Sequence, residues 1–287
     1  MAWTPEQLGV GVGTSDRPAL AVFNGRLFEL HKGEPGDDRL FYSSFDGTAW
    51  SGEQPMGAWA NSSTVPSLAV FNGRLFAAWK GVEGDNAMWV SSFDGTQWSG
   101  AQKGIGFATS DGPTLAVFNG SLFGAHTGEP GDNRMWYSRF DGNTWSPEHS
   151  GIGTGTSSGP SLAAFNGRLF AAWKGVPNDT RMFYSSYPGN PSISLSRIPG
   201  EDYFVNASGQ GFTHDDTVAV TYDVSVDATG AFTQGTPTIP TDDNGAFVLR
   251  IPEQGTFNSG TTVDVTVKAT DNDSLESATA SASASFS

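Results

Sequence analysis

The chain has 287 residues, no cysteine, a formal net charge of −15 and an aromatic content of 12%. These numbers exclude disulfides and thiolate chemistry, a disordered chain, and nucleic acid or anionic lipid as partners, because both of those are bound through Lys and Arg. No run of about 18 apolar residues is present, so no membrane insertion is expected; Met1 to Glu6 also lack the basic start and apolar core of a signal peptide.

In chain order, the first element is a short strand around Trp3-Thr4-Pro5-Glu6. Pro18, Pro66, Pro113 and Pro160 then open four near-identical phrases: PALAVFNGRLF, PSLAVFNGRLF, PTLAVFNGSLF and PSLAAFNGRLF. They lie 48, 47 and 47 residues apart. A second phrase comes after each: LFYSSFDGTAW, MWVSSFDGTQW, MWYSRFDGNTW and MFYSSYPGN. That period is too short for a domain and suits one propeller blade.

Repeat two shows the expected blade. Leu68 to Phe71 is a strand, Asn72-Gly73 a tight turn and Arg74 to Trp79 the second strand. Asn-Gly between apolar runs is a hairpin signal because both residues tolerate positive φ. Met88 to Phe93 is the third strand, Asp94-Gly95 a turn, and Gln97-Trp98-Ser99 begins the fourth. No stretch holds a helical period, so almost no helix is expected.

Repeat four stops at Asn190 without a fourth strand. Trp3-Thr4-Pro5-Glu6 matches Trp145-Ser146-Pro147-Glu148, and Gly13-Thr14-Ser15 matches Gly155-Thr156-Ser157. The expectation is an all-β, four-bladed propeller over residues 1–190, closed by the N-terminal strand. Exchange of that strand between two chains would give a homodimer. Residues 191–287 lack Trp, and 217–222, 246–250 and 262–267 alternate as half-buried strands do. They read as an immunoglobulin-like sandwich. Its 13 acidic and 3 basic residues hold most of the charge excess.

The hairpin topology gathers two variable loops at one end of every blade. One carries Thr14 and Ser15, Ser63 and Thr64, Thr109 and Ser110, Thr156 and Ser157. The other carries His31, Trp79, His126 and Trp173, each followed six residues later by Asp37, Asp85, Asp132 or Asp179. An aromatic plate beside hydroxyls and a carboxylate suits a sugar, whose C–H face packs on a ring while its hydroxyls exchange hydrogen bonds. The competing reading is that the Thr-Ser pairs shape turns and the Asp caps its loop. Trp3, Trp50, Trp98 and Trp145 read as blade packing, as do Phe41, Trp89, Trp136 and Phe183 on the third strands.

Catalysis is not expected. Ser-Phe-Asp-Gly-x-x-Trp is near the Asp-box of sialidases but one residue short, and Arg26, Arg74 and Arg168 repeat beside the turns like scaffold. No cofactor or metal is expected either. Thr241 to Gly245 and Asp271-Asn272-Asp273 lack calcium-loop spacing, and His31, His126, His149 and His214 form no zinc pattern.

The phrase P-x-L-A-V-F-N-G-R-L-F-A-A-W-K-G, with Y-S-S-F-D-G-x-x-W-S and G-x-G-T-S, resembles the blades of PLL-type bacterial propeller lectins over residues 1–190. The resemblance implies pockets near adjoining blades for fucose and related sugars, O-methylated ones included, on a seven-bladed ring. This chain departs in having four repeats, and Ala87 stands where the others have Arg39, Arg134 and Arg181. The tail resembles immunoglobulin-like modules of bacterial surface proteins. The functional expectation is a non-catalytic lectin with several equivalent glycan sites, extracellular or on a cell surface. A protein-interaction or display scaffold is the alternative.

Overall fold

The computed structural model describes residues 5, 13–104, 108–187, 192–197, 204–210, 217–226, 231–241, 246–252, 262–271 and 277–285. The chain divides into two compact units, residues 1–186 and 187–287. All regular structure among the described residues is β.

Each repeat forms its own antiparallel sheet. The first holds β1 (Ala19–Phe23), β2 (Arg26–Lys32), β3 (Leu40–Phe45) and β4 (Gln54–Pro55). The second holds β5 (Ser67–Phe71), β6 (Arg74–Lys80), β7 (Met88–Phe93) and β8 (Gln102–Lys103). The third holds β9 (Thr114–Phe118), β10 (Ser121–Thr127), β11 (Met135–Phe140) and β12 (His149–Ser150). The fourth has three strands, β13 (Ser161–Phe165), β14 (Arg168–Lys174) and β15 (Met182–Tyr187). The strand expected to complete it falls on residues 1–12, which lie outside the described residues except Pro5.

Local chemistry sets these hairpins. Asn24, Asn72, Asn119 and Asn166 have φ of 47–49°, and the glycines after them 69–73°. Two consecutive left-handed residues make a type I′ turn, whose twist matches that of the strands it joins. The next turn is held by an aspartate. Asp94 Oδ1 accepts from the Thr96 and Gln97 backbone N–H groups at 2.8 and 2.9 Å and from the Thr96 hydroxyl at 2.7 Å. Asp46 does the same for Thr48 and Ala49. Each of these turns then presses an outer Trp onto the last residue of the third strand. Phe45–Trp50, Phe93–Trp98 and Phe140–Trp145 have ring centroids 5.4, 5.2 and 5.1 Å apart.

The core of this unit lies between successive sheets, and the first strands β1, β5, β9 and β13 neighbour one another in turn. Phe23 and Phe28 of the first sheet receive Phe93 of the second, with centroids 6.3 and 5.7 Å away. Phe71 and Phe76 of the second receive Phe140 of the third at 6.1 and 5.8 Å. Leu68, Leu75 and Trp79 back the first junction, and Leu115 and Leu122 the second. Each sheet therefore has a trailing face built to accept the leading face of the next.

The second unit contains two antiparallel sheets. One is β16 (Ser192–Arg197), β17 (Phe204–Gln210) and β21 (Phe247–Pro252). The other is built on β18 (Thr217–Val226), flanked by β19 (Ala231–Gly235) and β22 (Thr262–Asp271), with β23 (Ser277–Ser285) beyond and β20 (Thr238–Pro240) paired to β18. Ala207, Phe247 and Ile251 of the first sheet share one apolar core with Val218, Val220, Val265 and Val267 of the second.

Candidate functional site

The loop after each second strand is closed by its own glycine and aspartate. The Gly33 N–H donates to the Arg39 carbonyl at 2.9 Å, and Asp37 Oδ1 accepts the Arg39 N–H at 3.0 Å. A side chain on Gly33 would place a Cβ 2.8 Å from the Asp37 carboxyl carbon, so only glycine admits the cap. The same fold of the loop recurs around Asp85, Asp132 and Asp179.

The carboxylate also organises a cation. Arg39 grips Asp37 through Nε at 2.9 Å and Nη2 at 2.6 Å. Arg134 grips Asp132 at 2.9 and 3.0 Å, and Arg181 grips Asp179 at 3.0 and 2.8 Å. Each guanidinium lies over the ring two residues on, 4.9 Å from the Phe41 centroid, 4.6 Å from Trp136 and 5.2 Å from Phe183. The hydrogen bonds from these arginines hold Asp37, Asp132 and Asp179 charged, at pKa values of about 2. Repeat two reaches the same arrangement differently. Ala87 has no guanidinium, and Lys103, from the fourth strand, places its ammonium 5.4 Å from the Trp89 centroid; the Trp89 indole N–H donates to Asp85 at 3.0 Å, as that of Trp136 does to Asp132 at 3.2 Å. Every repeat thus carries a carboxylate beside an aromatic ring with a cation above it.

The predicted hydroxyls are largely turned inward. Ser15 Oγ and Ser63 Oγ each donate to the glycine carbonyl of the same repeat, Gly33 and Gly81, at 2.7 Å. Thr14, Thr109 and Thr156 donate to the carbonyls of Asp16, Asp111 and Ser158. In repeat two Ser62 fills that role toward Thr64, so the matching pair there is Ser62–Ser63, one residue earlier than Ser63–Thr64. The Thr64 hydroxyl is buried without a hydrogen-bond partner. Ser110 Oγ meets the Thr127 hydroxyl at 3.0 Å, and the Ser157 N–H donates to Gly175.

His31, Trp79, His126 and Trp173 are buried. Each pairs across the sheet with, or stacks on, the third-strand aromatic: His31 with Phe41, Trp79 with Trp89, His126 with Trp136 and Trp173 with Phe183. The inner rings offer no open plate, and the structure does not bring them to one surface with the hydroxyls. In repeats two to four the third-strand ring beside the cation, Trp89, Trp136 or Phe183, is half-buried, whereas Phe41 in repeat one is buried like its partner His31. Sequence patterns assign Phe41, Trp89, Trp136 and Phe183 to packing and leave out Lys103. The available signal is the spacing, with Trp89 and Trp136 four residues after Asp85 and Asp132 and in register with the inner ring.

The acid contacts of two histidines have no signal in the sequence patterns. His31 Nδ1 lies 2.7 Å from Glu29 Oε1 and Nε2 2.9 Å from Glu53 Oε1, the latter off the hydrogen-bonding line. The hydrogen bond to Glu29 outweighs burial and raises the His31 pKa. His126 Nε2 lies 2.6 Å from Glu148 Oε1, while Nδ1 faces the Thr127 carbonyl. Among the described residues, no group of three His, Asp or Glu side chains is arranged to hold a metal ion.

No protein-family model and no curated protein matches the chain. Among solved structures, "Bacteroides ovatus Xyloglucan PUL GH43B" is similar at 12% identity and a TM-score of 0.42, covering 94% of this chain and 77% of its own. An endo-arabinase from Bacteroides thetaiotaomicron is similar at 11% and 0.41, covering 88% and 99%. A xylan beta-1,4-xylosidase from Bacillus halodurans is similar at 10% and 0.39, covering 94% and 78%. These are glycoside hydrolases and not PLL-type lectins. The lectin resemblance is therefore corrected, and the expectation of a chain without catalytic activity is withdrawn with it. At these TM-scores the likeness assigns no site and no mechanism to this chain.

Proposed function

We propose that residues 1–190 form a carbohydrate-binding β-propeller, four blades to the chain, whose contact points are the half-buried third-strand rings of Trp89, Trp136 and Phe183 with their neighbouring carboxylates and cations. The recurrence of that constellation in all four repeats supports the reading, above all its rebuilding in repeat two from different residues. The half-buried rings offer apolar surface on which a sugar's C–H groups pack, and an ionised carboxylate beside a cation offers an acceptor and donors to its hydroxyls. Asp37, Asp85, Asp132 and Asp179 carry over from the sequence reading into this site. The hydroxyl pairs and the inner rings of His31, Trp79, His126 and Trp173 support it from behind. Several such points on one chain favour clustered glycans, where avidity exceeds single-site affinity by about 10²–10⁴. The two sheets and shared core of the second unit support an immunoglobulin-like module. An extracellular or cell-surface setting fits such a ligand.

The experiment is a titration of the purified chain with a broad panel of oligosaccharides, with reducing ends assayed in the same mixtures. Saturable binding that weakens stepwise in Trp136→Ala and Trp89→Ala, with the melting temperature retained, supports the proposal. New reducing ends would add cleavage to binding. No saturable binding by the folded chain to any panel member overturns it.

A further inference from the structure

The four sheets of the repeat unit are equivalent in sequence but not in what covers them. On the trailing faces, Phe118 and Met135 of the third sheet are 5% and 0% exposed. Their counterparts on the fourth sheet, Phe165 and Met182, are 65% and 75% exposed, and Tyr184 beside them is 71% exposed. On the leading faces, Leu68 and Leu115 are 9% and 6% exposed, whereas Leu20 of the first sheet is 59% exposed. The chain therefore ends in two unlike apolar faces, one at each end of the row of sheets. Scattered apolar residues on a surface need no explanation, but a contiguous patch does.

What fits each face is already drawn inside the chain. The trailing pair Phe23 and Phe28 receives Phe93, and Phe71 and Phe76 receive Phe140. The corresponding pair on the fourth sheet is Phe165 and Phe170, whose centroids are 6.4 Å apart, close to the 5.8 and 6.0 Å of the two filled pairs. The residue that corresponds to Phe93 and Phe140 on the exposed leading face is Phe45. A polar contact crosses the second junction as well: the Leu115 N–H donates to Ser67 Oγ at 3.0 Å. The matching hydroxyl, Ser161, is exposed.

We infer that a second copy of this chain covers both faces. Its first sheet seats Phe45 between Phe165 and Phe170 and packs Leu20 against the fourth sheet, and its own fourth sheet takes the first sheet of the original chain in return. The contact is head-to-tail, and two such contacts close two chains into one ring. Four sheets from each chain make eight blades, at the upper end of the usual range of about four to eight. Closure matters, because a head-to-tail contact that fails to close generates filaments. This inference rests on reading the repeats as blades, and not on what the blades bind.

The test is mass by light scattering and sedimentation over a wide concentration range. The wild-type chain is expected at twice its 30.2 kDa mass. Phe165→Asp and Leu20→Asp each place a charge in both junctions and are expected to run as monomers with unchanged circular dichroism, since both side chains are largely exposed in a single chain. An equimolar mixture of the two variants keeps one wild-type junction, so dimer is expected to reappear in it. A wild-type monomer at every concentration overturns the inference. So do polymers that grow with concentration, a variant that stays dimeric, or a mixture in which dimer does not return. Glycan titration of the monomeric variants separates this outcome from the binding proposal, because the third-strand rings belong to each chain alone.

Discussion

The ammonium of Lys103 lies 5.4 Å from the centroid of Trp89, in the place that Arg134 takes over Trp136 in the next repeat. One cation comes from a neighbouring strand and the other from two residues upstream, yet both cover the third-strand ring. A cation over an exposed aromatic contributes about 0.5–1 kcal/mol. Lys103→Ala should lower stability by about that amount in urea unfolding. Ala87→Arg should restore the fork on Asp85 and make the loss of Lys103 smaller, which a double-mutant cycle reads directly. Additive effects in that cycle would show that the two cations do not share a role.

Trp79 and Trp136 should separate stability from binding. Trp79 is fully buried, 6.0 Å from Trp59, with its indole N–H unpartnered. Trp79→Ala removes that volume from the first junction and should cost about 3–5 kcal/mol, as large-to-small core changes do. Trp136→Ala should leave most of the melting temperature in place and weaken glycan binding. The paired measurement is thermal unfolding and calorimetric titration of both variants. Equal losses of stability in the two would place Trp136 in the core instead.

The hairpin turn has a conformational test. Gly73 has φ of 69°, with open space where a Cβ would go. Any penalty at Gly73→Ala is therefore backbone strain, about 1–2 kcal/mol for an L-residue in the left-handed region. Gly52 has equally open surroundings and an ordinary φ, so Gly52→Ala should be neutral or slightly stabilising. Chemical denaturation of the two variants gives the comparison.

pH should act through two sets of groups in opposite directions. The Glu29 hydrogen bond raises the His31 pKa above 6.5. Its contribution to stability is fully present below 6.5 and is lost as pH rises through the folded value. Glu29→Gln should bring the His31 titration down, which imidazole resonances in NMR report. Asp37, Asp132 and Asp179 fall from 3.8 to about 2 through their arginines. Their contribution is present above 3.8 and is lost as pH falls toward about 2. These pairs face solvent, so added salt should shrink the acid-side effect.

The turn chemistry was legible because it is local. Asn72-Gly73 dictates a type I′ hairpin wherever it stands between apolar runs, and Trp98 comes after its turn by a fixed count onto Phe93. The direction of Trp79 was not legible. Its place on the second strand says only that it lies on one face of a sheet, and whether that face meets solvent or the neighbouring blade depends on packing between repeats. The Ser63–Thr64 assignment is one residue out because it matches by composition, whereas the 48-residue spacing of the prolines carries Thr14 and Ser15 onto Ser62 and Ser63, in step with the hydrogen bonds. Lys103 was beyond reach for another reason: its partner ring belongs to the adjacent strand, and no spacing within one phrase links the two. The bare faces of Phe165 and Leu20 could not be seen either, since their phrases read like those of buried counterparts.

Strand pairing in the two units differs in reach along the chain. Among the described residues of the repeat unit every ladder joins consecutive strands, with partners such as Phe71 and Arg74 only a turn apart. In the second unit the ladder between β18 and β22 reaches far along the chain, bringing Val218 to Asp271 and Val226 to Val263. Local pairing nucleates quickly, whereas a ladder that must first close a long loop is slow. Refolding should accordingly show two kinetic phases, with the tryptophan signal, which arises only from the repeats, recovering before the β18–β22 ladder is complete. During synthesis the repeats also leave the ribosome first, so the slow ladder forms on a chain whose N-terminal sheets are already in place.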